Sequence, residues 1–258
     1  MEQPRIALNL YLLREEAARD LPAALRVAKD CGYDGVELAA TQGWEVADLA
    51  ALLTEVGLTA ASTHVPFGDF AADLPGTIDR YQRLGCSFLV LGWLEEALRH
   101  TGSGYAAVME QVGVFARACR AAGLPLAYHN HDFEFAAGTP DGMTQLLEAL
   151  PPDVLEAQFD VGWLSIVGQN PVDWLERWAG RYRSVHLKDY FPSDRASGYD
   201  FCALGEGIMD FPPILRAAWQ GGARWFIVDQ DWDTRHTPAE AALVSAQYLR
   251  QALAHVHD

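Results

Sequence analysis

LPLAYHNHDFEF, residues 124–135, carries an apolar run that stops abruptly at titratable residues. Leu124 to Ala127 has the composition of a buried strand. Tyr128, His129, Asn130, His131 and Asp132 follow at once, with Glu134 close behind. Side chains alternate faces along a strand, so His129 and His131 share one face and Asn130 takes the other. Two imidazoles on one face suit a ligand or a metal ion, and they equally suit hydrogen bonds to carbonyls at a strand edge. What the other strands bring to the same place decides between these.

An apolar strand followed by an amphipathic helix recurs along the chain. Strand-like runs at 5–10, 34–38, 58–63, 87–92, 124–131, 155–162, 182–189 and 224–231 alternate with helical patterns at 20–32, 44–57, 73–85, 104–123, 141–150, 171–180, 210–222 and 237–256. Asp20 is placed as an N-cap, Pro22 lies in the first turn and Gly32 ends the helix. Gly76 weakens the helix at 73–85. About eight such units in 258 residues predict one α/β domain spanning residues 1–258, a single (β/α)₈ TIM barrel. An open doubly wound sheet would call for a glycine-rich turn after the first strand, and NLYLLREE (9–16) has no glycine.

Composition narrows the function classes. The chain carries 19 basic and 35 acidic residues, a net charge of −16, with no basic run; a nucleic-acid partner is not expected. No stretch approaches the ~20 consecutive apolar residues of a membrane span, and MEQPRIALNL (1–10) does not read as a secretory signal. The four cysteines, Cys31, Cys86, Cys119 and Cys202, are scattered without a CxxC, which fits reduced thiols in a cytoplasmic protein.

A barrel gathers its chemistry at the C-terminal ends of its strands. Those ends read Asn9, Glu37, His64, Trp93, His129 with His131, Asp160, His186 with Lys188, and Asp229 with Asp231. Nearly every one is titratable. A carboxylate closing an apolar strand, as Asp160 and Asp229 do, is costly unless paired or metal-bound. Lys188 also admits a plain salt bridge to a neighbouring aspartate, and Trp44, Trp93, Trp163 and Phe133 could equally wall a pocket or pack in the core. Mixed imidazole and carboxylate donors suit Mn²⁺, Fe²⁺, Co²⁺ or Zn²⁺, whereas a structural zinc site would use cysteines.

YHNHDFEF (128–135), FDVGW (159–163), VHLKD (185–189), LGEGIMDFPPIL (204–215) and IVDQD (227–231) stand in order as in the xylose isomerase-like TIM barrels. Over essentially the whole chain from GYDGVEL (32–38) onward, the sequence resembles the sugar phosphate isomerases/epimerases of that family, in particular the inosose dehydratase branch. The resemblance implies one divalent cation, Mn²⁺ foremost, with Zn²⁺, Co²⁺ or Fe²⁺ as alternatives. Its ligand slots fall on His129, Asp160, His186 and Asp229, with His131 a second candidate for the first slot. Two slots depart from the common pattern, because His129 and Asp229 stand where glutamates are usual. In the ketose 3-epimerases those glutamates also carry acid–base work, so that mechanism does not transfer directly. Endonuclease IV needs a histidine three residues after the sixth-strand aspartate, where this chain has Trp163.

The activity implied is a metal-dependent isomerase or epimerase of a sugar or keto-polyol, acting through an enediolate. Expulsion of a β-hydroxyl at the same site would instead make a dehydratase of a keto-inositol or 3-keto-sugar. A third alternative is a sugar-binding barrel without catalysis. Glu37 and Glu134 are the expected bases and Lys188 the expected proton donor. His64, His131 and Glu206 are expected to bind substrate. The partner is a small sugar or polyol, with homo-oligomerisation left open. Residues 190–210 are too long for an ordinary connection and predict a partly ordered lid.

Overall fold

The computed structural model describes residues 3–39, 43–99, 105–136, 141–233 and 235–256. In chain order the strands are β1 (Arg5–Asn9), β2 (Gly35–Ala39), β3 (Thr59–His64), β4 (Leu89–Leu91), β5 (Leu126–His129), β6 (Glu156–Asp160), β7 (Tyr182–Leu187), β8 (Asp189–Pro192), β9 (Tyr199–Cys202) and β10 (Trp225–Val228). All but β8 and β9 close into one parallel barrel, β1-β2-β3-β4-β5-β6-β7-β10, each strand beside its successor and β10 sealing onto β1. The predicted (β/α)₈ barrel is therefore the fold.

Strand alternation sorts the interior into layers. Ala7, Ala61, Phe88, Val90, Ala127, Trp225 and Ile227 form a separate apolar cluster inside the barrel. Two residues further along four of those strands stand Asn9, His129, Asp229 and, beyond the end of β4, Gly92. One side-chain step thus changes the barrel filling from hydrocarbon to polar groups. The outer faces of the barrel strands, among them Leu8, Val36, Leu126, Phe159 and Val185, pack beneath the surrounding helices in the larger core.

The helices carry the expected punctuation. Asp20 caps the helix Leu21–Asp30 through Ala23 N–H, and Thr237 and Glu240 form a capping box on Pro238–Leu253. Gly76 lies inside the helix Leu74–Leu84 because its N–H is held by the Asp73 cap. Three short helices, Arg14–Arg19, Phe67–Ala72 and Val161–Ile166, lie outside the expected helical segments. The last corrects the expected strand at 155–162: β6 stops at Asp160, whose side chain caps the helix that follows.

Residues 190–210 hold an antiparallel ribbon of β8 and β9. Its foot is pinned by the buried Asp189 carboxylate, which accepts backbone N–H groups of Tyr190, Gly205, Gly207 and Met209 at 2.9–3.1 Å.

Candidate metal centre and its cavity

His129, Asp160, His186 and Asp229 end β5, β6, β7 and the segment just past β10. They are buried, and one ligand atom from each lies within 4.8 Å of the others. Register brings them there: Asp160 pairs with His186 across β6 and β7, and Asp229 N–H donates to the Leu187 carbonyl.

Asp160, His186 and Asp229 each have a second tether. Asp160 Oδ1 accepts the Trp163 N–H at 2.9 Å as a helix cap, while buried Oδ2 accepts no hydrogen bond among the described residues and has Lys188 Nζ at 3.6 Å. Asn130, the odd residue of His-Asn-His, points away and locks β5 to β6 by accepting the Asp160 N–H at 3.0 Å. His129 Nδ1 is likewise buried without a hydrogen-bond partner among the described residues. Burial, then the neighbouring His186, pushes the His129 pKa well below its usual value, leaving the neutral imidazole that a metal needs. Two buried donors without partners, one imidazole and one carboxylate oxygen, fit a divalent cation.

Beneath them Glu37 is wholly buried and saturated. Its Oε1 lies 2.6 Å from His186 Nε2 and 2.9 Å from His64 Nε2, and Asn9 Nδ2 donates to it at 3.2 Å. Oε2 accepts from Ser62 Oγ at 2.5 Å and Gln158 Nε2 at 2.7 Å. Burial would raise this carboxyl, but the His186 and His64 imidazoles outweigh it and hold it well below the carboxylate range. His186 responds in kind: burial would lower it, yet Glu37 at Nε2 and Asp229, 3.2 Å from Nδ1, push it up to about 10, so a metal ion would take the place of the His186 proton that faces Asp229.

Lys188 is the buried cation of the site, 2.8 Å from Asp231, 3.0 Å from Asp229 and 3.6 Å from Asp160. Burial works against its charge, and these carboxylates, Asp229 first, keep its pKa above the ordinary lysine value. Its stem fits because Gly162 has no side chain; a Cβ there would meet Lys188 Cβ and its carbonyl at 2.7 Å.

A cavity of about 550 Å³ opens over this layer, its wall including His64, His129, His131, Asp229, Asp231 and Trp163. His131 stacks on Phe133 at 5.4 Å, with Trp93 set edge-on. Glu134 is inside the wall: Tyr128 Oη and the His131 N–H each donate to it at 2.7 Å. Burial pushes its pKa up to about 7, against those hydrogen bonds. Glu206 is not brought to this cavity; its carboxylate takes His236 Nε2 at 3.0 Å. Trp163 and Trp232 line the cavity and pack on Phe201 of the ribbon, so this segment backs two of the cavity's aromatic walls.

Asp231, named above only as a strand-end group, and Gln158 and Tyr128, given no role above, also belong to the site and its support. Asp231 had a signal, since it lies two residues past Asp229 and shares its face. Gln158 and Tyr128 had none, because their partners, Glu37 and Glu134, are identified only by the closed barrel and the turn at Phe133–Phe135.

Comparison with known proteins agrees with this architecture. Inosose dehydratase of Lacticaseibacillus casei is 28% identical over 146 residues, 50% of this chain and 48% of that protein. The chain thus spans about half the length of the curated relatives it matches. A sugar phosphate isomerase/epimerase from Parabacteroides distasonis superposes with a TM-score of 0.80 at 22% identity, over 97% of each chain. The IOLI protein, solved with a bound zinc atom, superposes with a TM-score of 0.74 at 15% identity, over 97% of this chain and 98% of that one. These two structures share the fold. The model of one family, described as the xylose isomerase-like TIM barrel, matches residues 25–252, and with the closed eight-stranded barrel in view, the chain belongs to that family.

Proposed function

We propose that this protein is a divalent-metal-dependent isomerase or epimerase of a sugar or keto-polyol. The observation that carries this reading is the buried cluster of His129, Asp160, His186 and Asp229, with ligand atoms within 4.8 Å of one another under an open cavity. Those four residues would hold the ion. A divalent cation there supplies Lewis-acid polarisation of a carbonyl and its neighbouring hydroxyl. Mn²⁺ remains the first expectation, with Zn²⁺ supported by the zinc-bound IOLI structure.

The chain's own residues do the rest. Lys188, buried and charged behind the cavity-lining Asp229 and Asp231, offsets the negative charge that develops when the substrate loses a carbon-bound proton. Asp231 lines the cavity 2.8 Å from Lys188 and takes the carbon-bound proton. His64 and His131 orient substrate hydroxyls. Glu37 and Glu134, with both oxygens of each engaged, act as positioning residues: Glu37 for His64 and His186, Glu134 for His131. The base role first expected of these glutamates passes to a carboxylate that faces the cavity.

A dehydratase of a keto-inositol or 3-keto-sugar is the second reading, favoured by the matches to inosose dehydratases. One experiment addresses both. Protein loaded with Mn²⁺ is incubated in D₂O with ketoses and keto-inositols, and deuterium entering beside the carbonyl is followed by NMR. Exchange without ultraviolet absorbance of an unsaturated ketone marks the isomerase or epimerase; exchange with it marks the dehydratase. No exchange with any of them, and no uptake of metal, would sink both readings.

A further inference from the structure

The cavity over the metal cluster does not end at His64. A second chamber of about 480 Å³ adjoins it, and Ala39, His64, Gly92 and Trp93 belong to the walls of both. The two chambers differ in chemistry. The first presents imidazoles, aspartates and the Arg14 guanidinium, whereas the second is walled by Val65, Pro66, Phe67 and Leu98. Its polar side chains among the described lining residues are His64, shared with the first chamber, and Glu95.

A sugar or inositol is polar on all sides. A hydroxyl pushed against Val65, Phe67 and Leu98 would give up its bonds to water without replacement, a net penalty. An aromatic or alkyl group in the same place would shed apolar surface and be held. Trp93 continues between the chambers and is exposed, so its ring can be covered by an occupant. We infer that the second chamber is a subsite for an apolar substituent joined to the polyol head, so that the substrate class is a polyol or sugar bearing an aryl or alkyl group. This rests on the metal-and-polyol reading above for the head group and adds the tail.

The binding of phenyl β-D-glucopyranoside and methyl β-D-glucopyranoside to Mn²⁺-treated protein, measured by calorimetry, tests it. The phenyl compound is expected to bind about tenfold tighter or better, the gain from burying one ring. Two variants place a carboxylate in the chamber, Leu98→Asp and Pro66→Asp. Pro66 precedes the helix Phe67–Ala72 and makes no side-chain cap bond, so replacing it removes no hydrogen bond from the fold. In both variants the phenyl preference is expected to vanish while Mn²⁺ content stays at the wild-type level. Equal affinity for the two glucosides, binding of neither, or a preference that survives in both variants overturns the subsite. A phenyl preference in protein that takes up no Mn²⁺ would overturn the metal-dependent reading and leave the subsite standing.

Discussion

His186 Nε2 lies 2.6 Å from Glu37 Oε1, with both side chains wholly buried. The pair joins β7 to β2 across the barrel interior, and the same carboxylate oxygen reaches His64 on β3. Glu37→Ala would leave two imidazoles, Gln158 and Ser62 facing a void. We expect a loss of about 3 kcal/mol in denaturant unfolding, the range for breaking one side of a buried pair. Glu37→Gln, which preserves the volume, should lose less.

Asp160 divides its two oxygens between fold and chemistry. Asparagine keeps a cap oxygen for the Trp163 N–H, so Asp160→Asn should unfold within about 1 kcal/mol of wild type. Its Mn²⁺ affinity should fall at least about 100-fold, since the loss of a ligand's outer partner alone costs 10–100-fold. Calorimetric metal titration beside urea unfolding checks the split, and a variant that binds Mn²⁺ like wild type removes Asp160 from the ligand set.

Lys188 balances three buried or half-buried aspartates. Lys188→Met should therefore cost about 3 kcal/mol in chelator-treated protein. Added Mn²⁺ should raise the melting temperature of this variant more than that of wild type, because the ion no longer competes with an ammonium for the same carboxylates. Parallel thermal melts with and without Mn²⁺ give the comparison.

Gly92 lets His64 lie where it does; a Cβ at this position would fall 2.1 Å from His64 Nδ1. Gly92→Ala should expel the ring from Glu37 and lower turnover about 100-fold, the size of effect that a misplacement of about 1 Å produces. The barrel should persist by circular dichroism.

Glu134 sets a pH dependence. Burial raises its pKa from 4.5 to about 7, so the folded state favours its protonated form. That contribution is complete below pH 4.5 and is lost as pH rises through about 7, some ~3 kcal/mol in all. Glu134→Gln should remove this slope from a series of urea titrations across that window. An unchanged slope would assign it to another group.

Much of this was legible before any coordinates. Apolar runs ending in His129, Asp160, His186 and Asp229 announced the strands, because a strand buried on both faces reads as continuous hydrocarbon and its polar end stands out; the grouping of those four as a candidate ligand set came from the family resemblance. Less legible were residues whose meaning depends on closure. Glu37 looks like any strand-end carboxylate until Gln158, 121 positions away, donates to it. The helix Val161–Ile166 was hidden by Gly162, which is present for the approach of Lys188 and not for helix propensity. Glu206 sits in a suggestive Gly-Glu-Gly, but His236 and Arg235 claim it from 30 and 29 positions further on.

The Asp189 anchor makes the two ends of the ribbon unequal. Four main-chain amides converge on one carboxylate at the foot, while the tip between Pro192 and Tyr199 is closed by its own short turn, with Ser193 N–H donating to the Gly198 carbonyl. A fluorescent label at Asp194 or Ser197 would ride on this turn beside Arg195, whose guanidinium lies 5.6 Å from the ring of Trp232 in the cavity wall. The tip is therefore a natural attachment point for a reporter of ligand entry that leaves the barrel undisturbed.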